Sequence, residues 1–197
     1  AKVLAKCGAK VILSGRRVEI LESLAEEIRA DGGICEPIRI DMTDRESIRS
    51  AHKQAEEVFG TVNILINNAG IPDAQWAIKM SDELIDNVFD TNLVGPWVLS
   101  LEVAKRLIEQ KLPGRMINIS SVGAYNYGPQ AASSLYSTTK RGIVRMTEAF
   151  AVEWARYNIN VNCIAPGAFR SEMMDGMLER IGDISQAFPR KRICDPA

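Results

Sequence analysis

The sequence predicts an α/β fold: a parallel sheet, doubly wound, with helices on both faces. Short β-branched runs alternate with long amphipathic segments along all 197 residues. The runs are apolar throughout instead of alternating with polar residues, which marks strands buried on both faces of a parallel sheet. No internal repeat, low-complexity stretch or linker breaks the pattern, so residues 1–197 read as one domain.

Taken in order, residues 1–6 look like the tail of a helix. Residues 11–13 form a compact apolar strand after Gly8. Residues 18–30 carry helical periodicity, and Gly32-Gly33 ends them. Residues 34–40 read as a strand with Pro37 near its start. Residues 44–59 read as a helix that Thr43 or Asp44 could cap. Residues 62–66 are a fully apolar strand. Residues 81–110 predict one long helix disturbed at Gly95-Pro96, because proline has no N–H to donate. Residues 116–119 are another apolar strand, 134–157 a second long helix, and 159–164 a last short strand.

Composition narrows the function classes. The apolar fraction is 46%, the charged fraction 25% and the net charge −1, so no basic surplus points to nucleic acid or to an anionic membrane. No apolar run reaches the length of a membrane span, and the first residues lack a secretory signal's apolar core. These features point to a cytoplasmic protein. Cys7, Cys35, Cys163 and Cys194 form no C-x-x-C pair and no cluster with histidine, so no metal site is expected. The only histidine, His52, lies in a charged helical segment and reads as a helix-surface residue.

In open parallel sheets, ligands sit beyond the carboxyl ends of the strands, so the residues that follow each run carry the chemistry. After the first run come Arg16 and Arg17. A carboxylate there would select NAD by bonding the ribose 2′-hydroxyl. Guanidinium groups instead suit a 2′-phosphate, which favours NADP, although a solvated arginine pair opening a helix would look the same. After the second run comes Asp41, which can accept from an adenine amino group or start a turn. After the third come Asn67, Asn68, Ala69 and Gly70, small residues that let backbone approach a ligand. After the fourth come Ser120 and Ser121, hydroxyls able to meet a carbonyl oxygen. On the next helix, Tyr136 and Lys140 stand four apart and share a face. A cation beside a phenol favours the phenolate and lowers its pKa, giving a group that can donate or accept a proton near neutrality.

The ordered set Asn67-Asn68-Ala69-Gly70, Asn92, Ser121, Tyr136-x-x-x-Lys140 and Pro166-Gly167 resembles the classical branch of the short-chain dehydrogenase/reductase family, over essentially the whole chain. The likeness is to 3-oxoacyl reductases and sugar or polyol dehydrogenases. It implies a Rossmann-like sheet and an NADP(H)-dependent enzyme, with NAD as the second choice, that interconverts a ketone and a secondary alcohol. It implies a tetrad of Asn92, Ser121, Tyr136 and Lys140. Tyr136 would move the proton, Lys140 would lower its pKa and hold the nicotinamide ribose, Ser121 would hold the substrate oxygen, and Asn92 would support a relay water. Asp41 and Met42 would contact adenine. Asn67, Asn68, Ala69 and Gly70 would line the cofactor site. Pro166, Gly167 and Ser171 would pass the nicotinamide. A homodimer or homotetramer is implied too, and Val98, Leu101, Leu107, Ile143, Met146, Phe150 and Trp154 supply apolar surface beyond one helical stripe.

The sequence also departs from the family. A first strand with a T-G-x-x-x-G-x-G loop, and a last helix and strand, are not in it. This implies a partial domain, truncated at both ends, with a gap between the first and third apolar runs. The interval from Ser121 to Tyr136 is longer than usual, with the extra residues expected in 124–134. The resemblance implies that the segment holding Phe169, Met173, Met174, Met177, Leu178 and Phe188 forms a lid, which either favours a substrate with an apolar part or simply packs on the core. A non-catalytic dinucleotide-binding member and an inactive fragment stand as the other readings.

Overall fold

The computed structural model describes residues 1–128, 132–188 and 190–196. A short helix α1 (Lys2–Lys6) leads to β1 (Lys10–Gly15), α2 (Val18–Ala30), β2 (Ile34–Arg39) and α3 (Arg45–Phe59). Asp44, not Thr43, caps α3, its Oδ1 accepting from the Glu46 N–H at 2.8 Å. β2 runs straight through Pro37, which stands opposite Leu13 of β1. The strand is at the edge of its sheet, where a residue with no N–H to donate is tolerated.

The second half holds β3 (Ile64–Asn67), α4 (Asp82–Phe89), α5 (Gly95–Gln110), β4 (Gly114–Ile119), α6 (Ser134–Trp154), β5 (Ile159–Ile164) and α7 (Glu172–Ile181). The predicted long helix over 81–110 is therefore two helices joined by a π-turn over Asp90–Val94. The disturbance sits one turn before the predicted Gly95-Pro96. The wider turn bonds the Gly95 N–H to the Asp90 carbonyl, so the ladder has already changed step when it reaches Pro96.

All strand pairs are parallel. Among the described residues the sheet is divided, β2-β1 in one part and β3-β4-β5 in the other, as the predicted gap implies. The expectation that every apolar run is covered on both faces fails along β3. Leu65 and Asn67 are buried, whereas Ile64 is 51% exposed and Ile66 38%. The two parts are joined instead by packing of α3 on α5. Ile48, Ala51 and Ala55 of α3 meet Val98 and Leu99 of α5, and Arg106 donates to Glu56 at 3.0 Å.

The main core lies between the second sheet and the helices α5 and α6. Leu107, Met116, Ile143, Met146 and Ile159 are at most 2% exposed within it, each contributing about 1.5–3 kcal/mol by burial. Five residues that the sequence offered as surplus apolar surface, Leu107, Ile143, Met146, Phe150 and Trp154, are buried in this same cluster. No helix of the described residues is long and apolar enough to cross a membrane. His52 is half-buried on α3 instead of lying on its surface, and burial lowers its pKa.

Gly95 is where α5 meets the loop after β2. A Cβ there would stand 2.5 Å from the Met42 carbonyl oxygen and 3.0 Å from that of Asp90. Both obstacles are backbone. Gly95→Ala is expected to destabilise the fold by about 1–3 kcal/mol, read as a lower denaturation midpoint at unchanged slope. An unchanged or higher midpoint would contradict this packing.

Candidate active site

Parallel strands place their carboxyl ends on one side, and the residues singled out in the sequence follow those ends. Arg16 and Arg17 follow β1 and are exposed. Arg17 makes a two-pronged bond to Glu172 at the start of α7, at 3.1 and 2.9 Å. Asp41 and Met42 follow β2. The Asp41 carboxyl is held below its usual range, first by the Thr43 backbone N–H, which it accepts at 3.1 Å. Its own N–H donates to Ser47 Oγ at 3.0 Å. Asn68 and Ala69 follow β3 and are exposed, with Gly70 partly buried beside them.

Asn67 turns the other way. Its side chain is 5% exposed and donates to Ser100 Oγ at 2.9 Å and to Asn118 Oδ1 at 2.8 Å. Asn118 in turn donates to Thr147 Oγ1 at 2.9 Å. This polar ladder ties α5, β3, β4 and α6 together inside the core. Nothing in the local sequence marks Ser100, Asn118 or Thr147 as partners, because each belongs to a different element.

Asn92 lies in the π-turn and is 1% exposed. Its Oδ1 accepts from the Ile71 N–H at 2.8 Å, and its Nδ2 donates to the Ile71 carbonyl at 2.9 Å and to Thr139 Oγ1 at 3.2 Å. The amide thus grips the backbone just beyond Gly70. A Cβ on Gly70 would stand 3.1 Å from Lys140 Nζ and 3.5 Å from Asn92 Oδ1, so glycine lets this loop lie directly on the two side chains.

The two serines after β4 divide their roles. Ser120 is buried, and its hydroxyl donates to the Lys140 carbonyl at 2.7 Å. Ser121 is half-buried and its Oγ accepts from the Gly123 N–H at 3.1 Å, leaving its own proton to donate. Of the loop expected to hold extra residues, 129–131 lie outside the described residues; Val122–Ala124 form a single 3-10 turn.

Tyr136 and Lys140 lie on α6, with Nζ 5.6 Å from the phenol ring centroid. The expected downward pull on the phenol is not what this geometry produces. Burial raises the Tyr136 pKa above its ordinary value, and a Ser121 hydrogen bond offsets only part of that. The ammonium is engaged elsewhere: Lys140 Nζ donates to the Ile119 carbonyl at 2.9 Å, and burial lowers its own pKa to about 8. Beyond β5, Pro166 is held by its carbonyl, which accepts from the Val122 N–H at 3.0 Å. Gly167 is open, with nothing near a built Cβ. Ser171 caps α7, accepting from the Met174 N–H at 3.2 Å. A cavity of about 470 Å³ under α7 is lined by Arg170, Leu178, Asp183, Ser185, Arg192 and Ile193, apart from the tetrad residues.

Comparison with known proteins identifies the family and the fold. The family described as short chain dehydrogenase matches residues 1–181. Oxidoreductase UcpA of Escherichia coli (strain K12) is 33% identical over 205 residues, covering 100% of this chain and 77% of that protein. The 3-oxoacyl-[acyl-carrier-protein] reductase FabG of Rickettsia conorii is 36% identical over 182 residues, covering 91% of this chain and 70% of that one. The crystal structure of a gluconate 5-dehydrogenase from Burkholderia cenocepacia J2315, in complex with NADP and tartrate, superposes with a TM-score of 0.90 at 27% identity, covering 99% of this chain and 76% of that one.

The buried Lys140 gives a pH signature. Its folded-state pKa of about 8 lies below the ordinary 10.5, so between these values the unfolded chain binds more protons. Stability contributed by this residue therefore rises with pH across that window, and its full penalty is present below it. The stability of the wild type relative to Lys140→Met is expected to climb by up to about 3 kcal/mol from pH 8 to pH 10.5. A difference that stays flat or falls in paired urea titrations would show that the ammonium is not desolvated.

Proposed function

The chain belongs to the short-chain dehydrogenase family, an NAD(P)-dependent oxidoreductase family, and on that premise we propose that it interconverts a ketone and a secondary alcohol with NADP(H) as its preferred cofactor. One observation carries the reading. The Gly70 backbone lies against Lys140 Nζ and the Asn92 amide, so the loop suited to a dinucleotide and the groups suited to proton transfer share one spot.

The residues present fit such a cofactor. Arg16 and Arg17 would meet the adenosine phosphate, Asp41 and Met42 the adenine, and Asn68, Ala69 and Gly70 the middle of the molecule. Pro166, Gly167 and Ser171 would pass the nicotinamide, and Tyr136 and Lys140 its ribose. When bound, the dinucleotide supplies the hydride. The chain's own residues handle the oxygen. Ser121 donates a hydrogen bond to it, and Tyr136 gives or takes its proton. Burial keeps the phenol protonated at neutral pH, which suits proton donation to a ketone. Lys140, fixed on Ile119, sets the charge beneath, and Asn92 holds the loop over it.

The preference for NADP rests on Arg16 and Arg17, which follow β1 where a carboxylate would select NAD. The Arg17–Glu172 pair is solvent-exposed on both sides, and such pairs are worth little, so a 2′-phosphate can replace Glu172 at small cost. The names of relatives cover both 3-oxoacyl and gluconate chemistry. Ethyl acetoacetate and gluconate are therefore the two probes to try first. Trp97 on α5 and Val152 on α6 are exposed apolar residues that a homo-oligomer would cover.

Three outcomes test the proposal. Tyr136→Phe is expected to lower turnover of the active probe by about 10²–10⁴-fold with cofactor binding retained. Turnover at the wild-type rate would remove Tyr136 from the mechanism. Arg17→Ala should weaken NADPH about tenfold or more, near 1.4 kcal/mol, while leaving NADH within a few-fold in a fluorescence titration; equal losses would deny a phosphate contact. Because burial raises the phenol's pKa, alcohol oxidation should keep rising from pH 7 to pH 10 while ketone reduction does not. An oxidation rate that peaks at neutral pH would contradict the raised phenol.

A further inference from the structure

Helix α6 begins without a cap of its own: Ser133 precedes it and makes no side-chain bond to the first turn. The first N–H groups of a helix have no partner within it. Those of Leu135 and Tyr136 find one far away in sequence. Asp73 Oδ2 accepts from Leu135 at 2.9 Å and from Tyr136 at 3.2 Å, and Asp73 Oδ1 accepts from Ala74 at 2.8 Å. Asp73 is 4% exposed. A carboxylate is costly to bury unless it is well bonded, and backbone donors at the positive end of a helix meet that need.

We propose that Asp73 is a positioning residue for proton transfer: its carboxylate clamps the first turn of α6, and with it the Tyr136 phenol, to the loop that follows β3. The inference rests on the reading of Tyr136 as the proton-transferring group. The loop is held twice, by Asn92 at Ile71 and by α6 at Asp73. Lys140 lies one turn deeper, 3% exposed and bonded to Ile119, so it keeps its place without Asp73. Loss of the carboxylate therefore frees the phenol selectively. Turnover falls, while the groups that hold the dinucleotide stay put.

The test compares Asp73→Ala, Asp73→Asn and Tyr136→Phe in the full chain. It reads NADPH binding by fluorescence, turnover of ethyl acetoacetate, and phenol titration by NMR of ¹³C-labelled tyrosine. Asp73→Ala is expected to lower kcat on the order of 100-fold, with NADPH affinity and KM within a few-fold. It should also bring the raised Tyr136 titration back toward its ordinary value as the turn opens to water. Asp73→Asn keeps an acceptor for the two N–H groups and should recover most of kcat. Asp73→Ala with wild-type kcat per folded molecule and an unmoved Tyr136 titration would overturn the clamp. If that variant does not fold, amide exchange in the wild type decides: Leu135 and Tyr136 N–H groups exchanging as fast as a free helix end would overturn it equally. Wild-type turnover by Tyr136→Phe would instead refute the proton-transfer reading, and the titration and exchange data would still judge the clamp.

Discussion

The Asn92 amide bonds both backbone groups of Ile71, and much of the surrounding structure depends on that grip. A buried amide left half-bonded costs about 1–3 kcal/mol. Here its oxygen and nitrogen both find partners, with Thr139 on α6 as the third. The π-turn over Asp90–Val94 carries Asn92, and the glycine before Ile71 then lies on Lys140. One side chain thus joins the loop after β3, the junction of α4 with α5, and the face of α6. The π-turn and the packed glycine are two sides of the same constraint.

Polar groups in this region are used in two distinct ways. Asn67, Ser100, Asn118 and Thr147 face one another in the core and carry no exposed surface for a ligand. Ser121, Tyr136 and Gly70 are only partly buried. The first set fixes distances between strands and helices; the second is left able to meet a small molecule. The neighbours Asn67 and Asn68 fall on opposite sides of that division, as successive residues at the end of a strand do, and so do Ser120 and Ser121.

Local pattern disclosed a great deal. Helix 18–30 and strand 159–164 have the bounds that periodicity and glycine punctuation assign them, because their apolar positions and stop signals lie within a few residues. The Tyr136/Lys140 pair was legible for the same reason. What escaped depends on partners distant in sequence. Asp73 looks like any loop carboxylate until α6 is folded onto it. The direction of the Tyr136 pKa follows from burial, which outweighs the Ser121 hydrogen bond, and four-residue spacing reveals neither. The position of the π-turn follows from Asn92's need to reach Ile71, so proline alone placed it one turn late.

The divided sheet has a consequence for how the chain acquires its structure. β1 and β2 pair with each other across a single intervening helix, whereas the β3–β4 and β4–β5 pairings each join residues roughly twice as far apart in sequence. Contacts between residues near in sequence form first, since closing a longer loop costs more entropy. Among the described residues, α3 on α5 is the seam between the two parts. Among the described residues the two parts meet helix against helix, so how firmly Ile48, Ala51 and Ala55 hold Val98 and Leu99 sets how closely the parts are coupled.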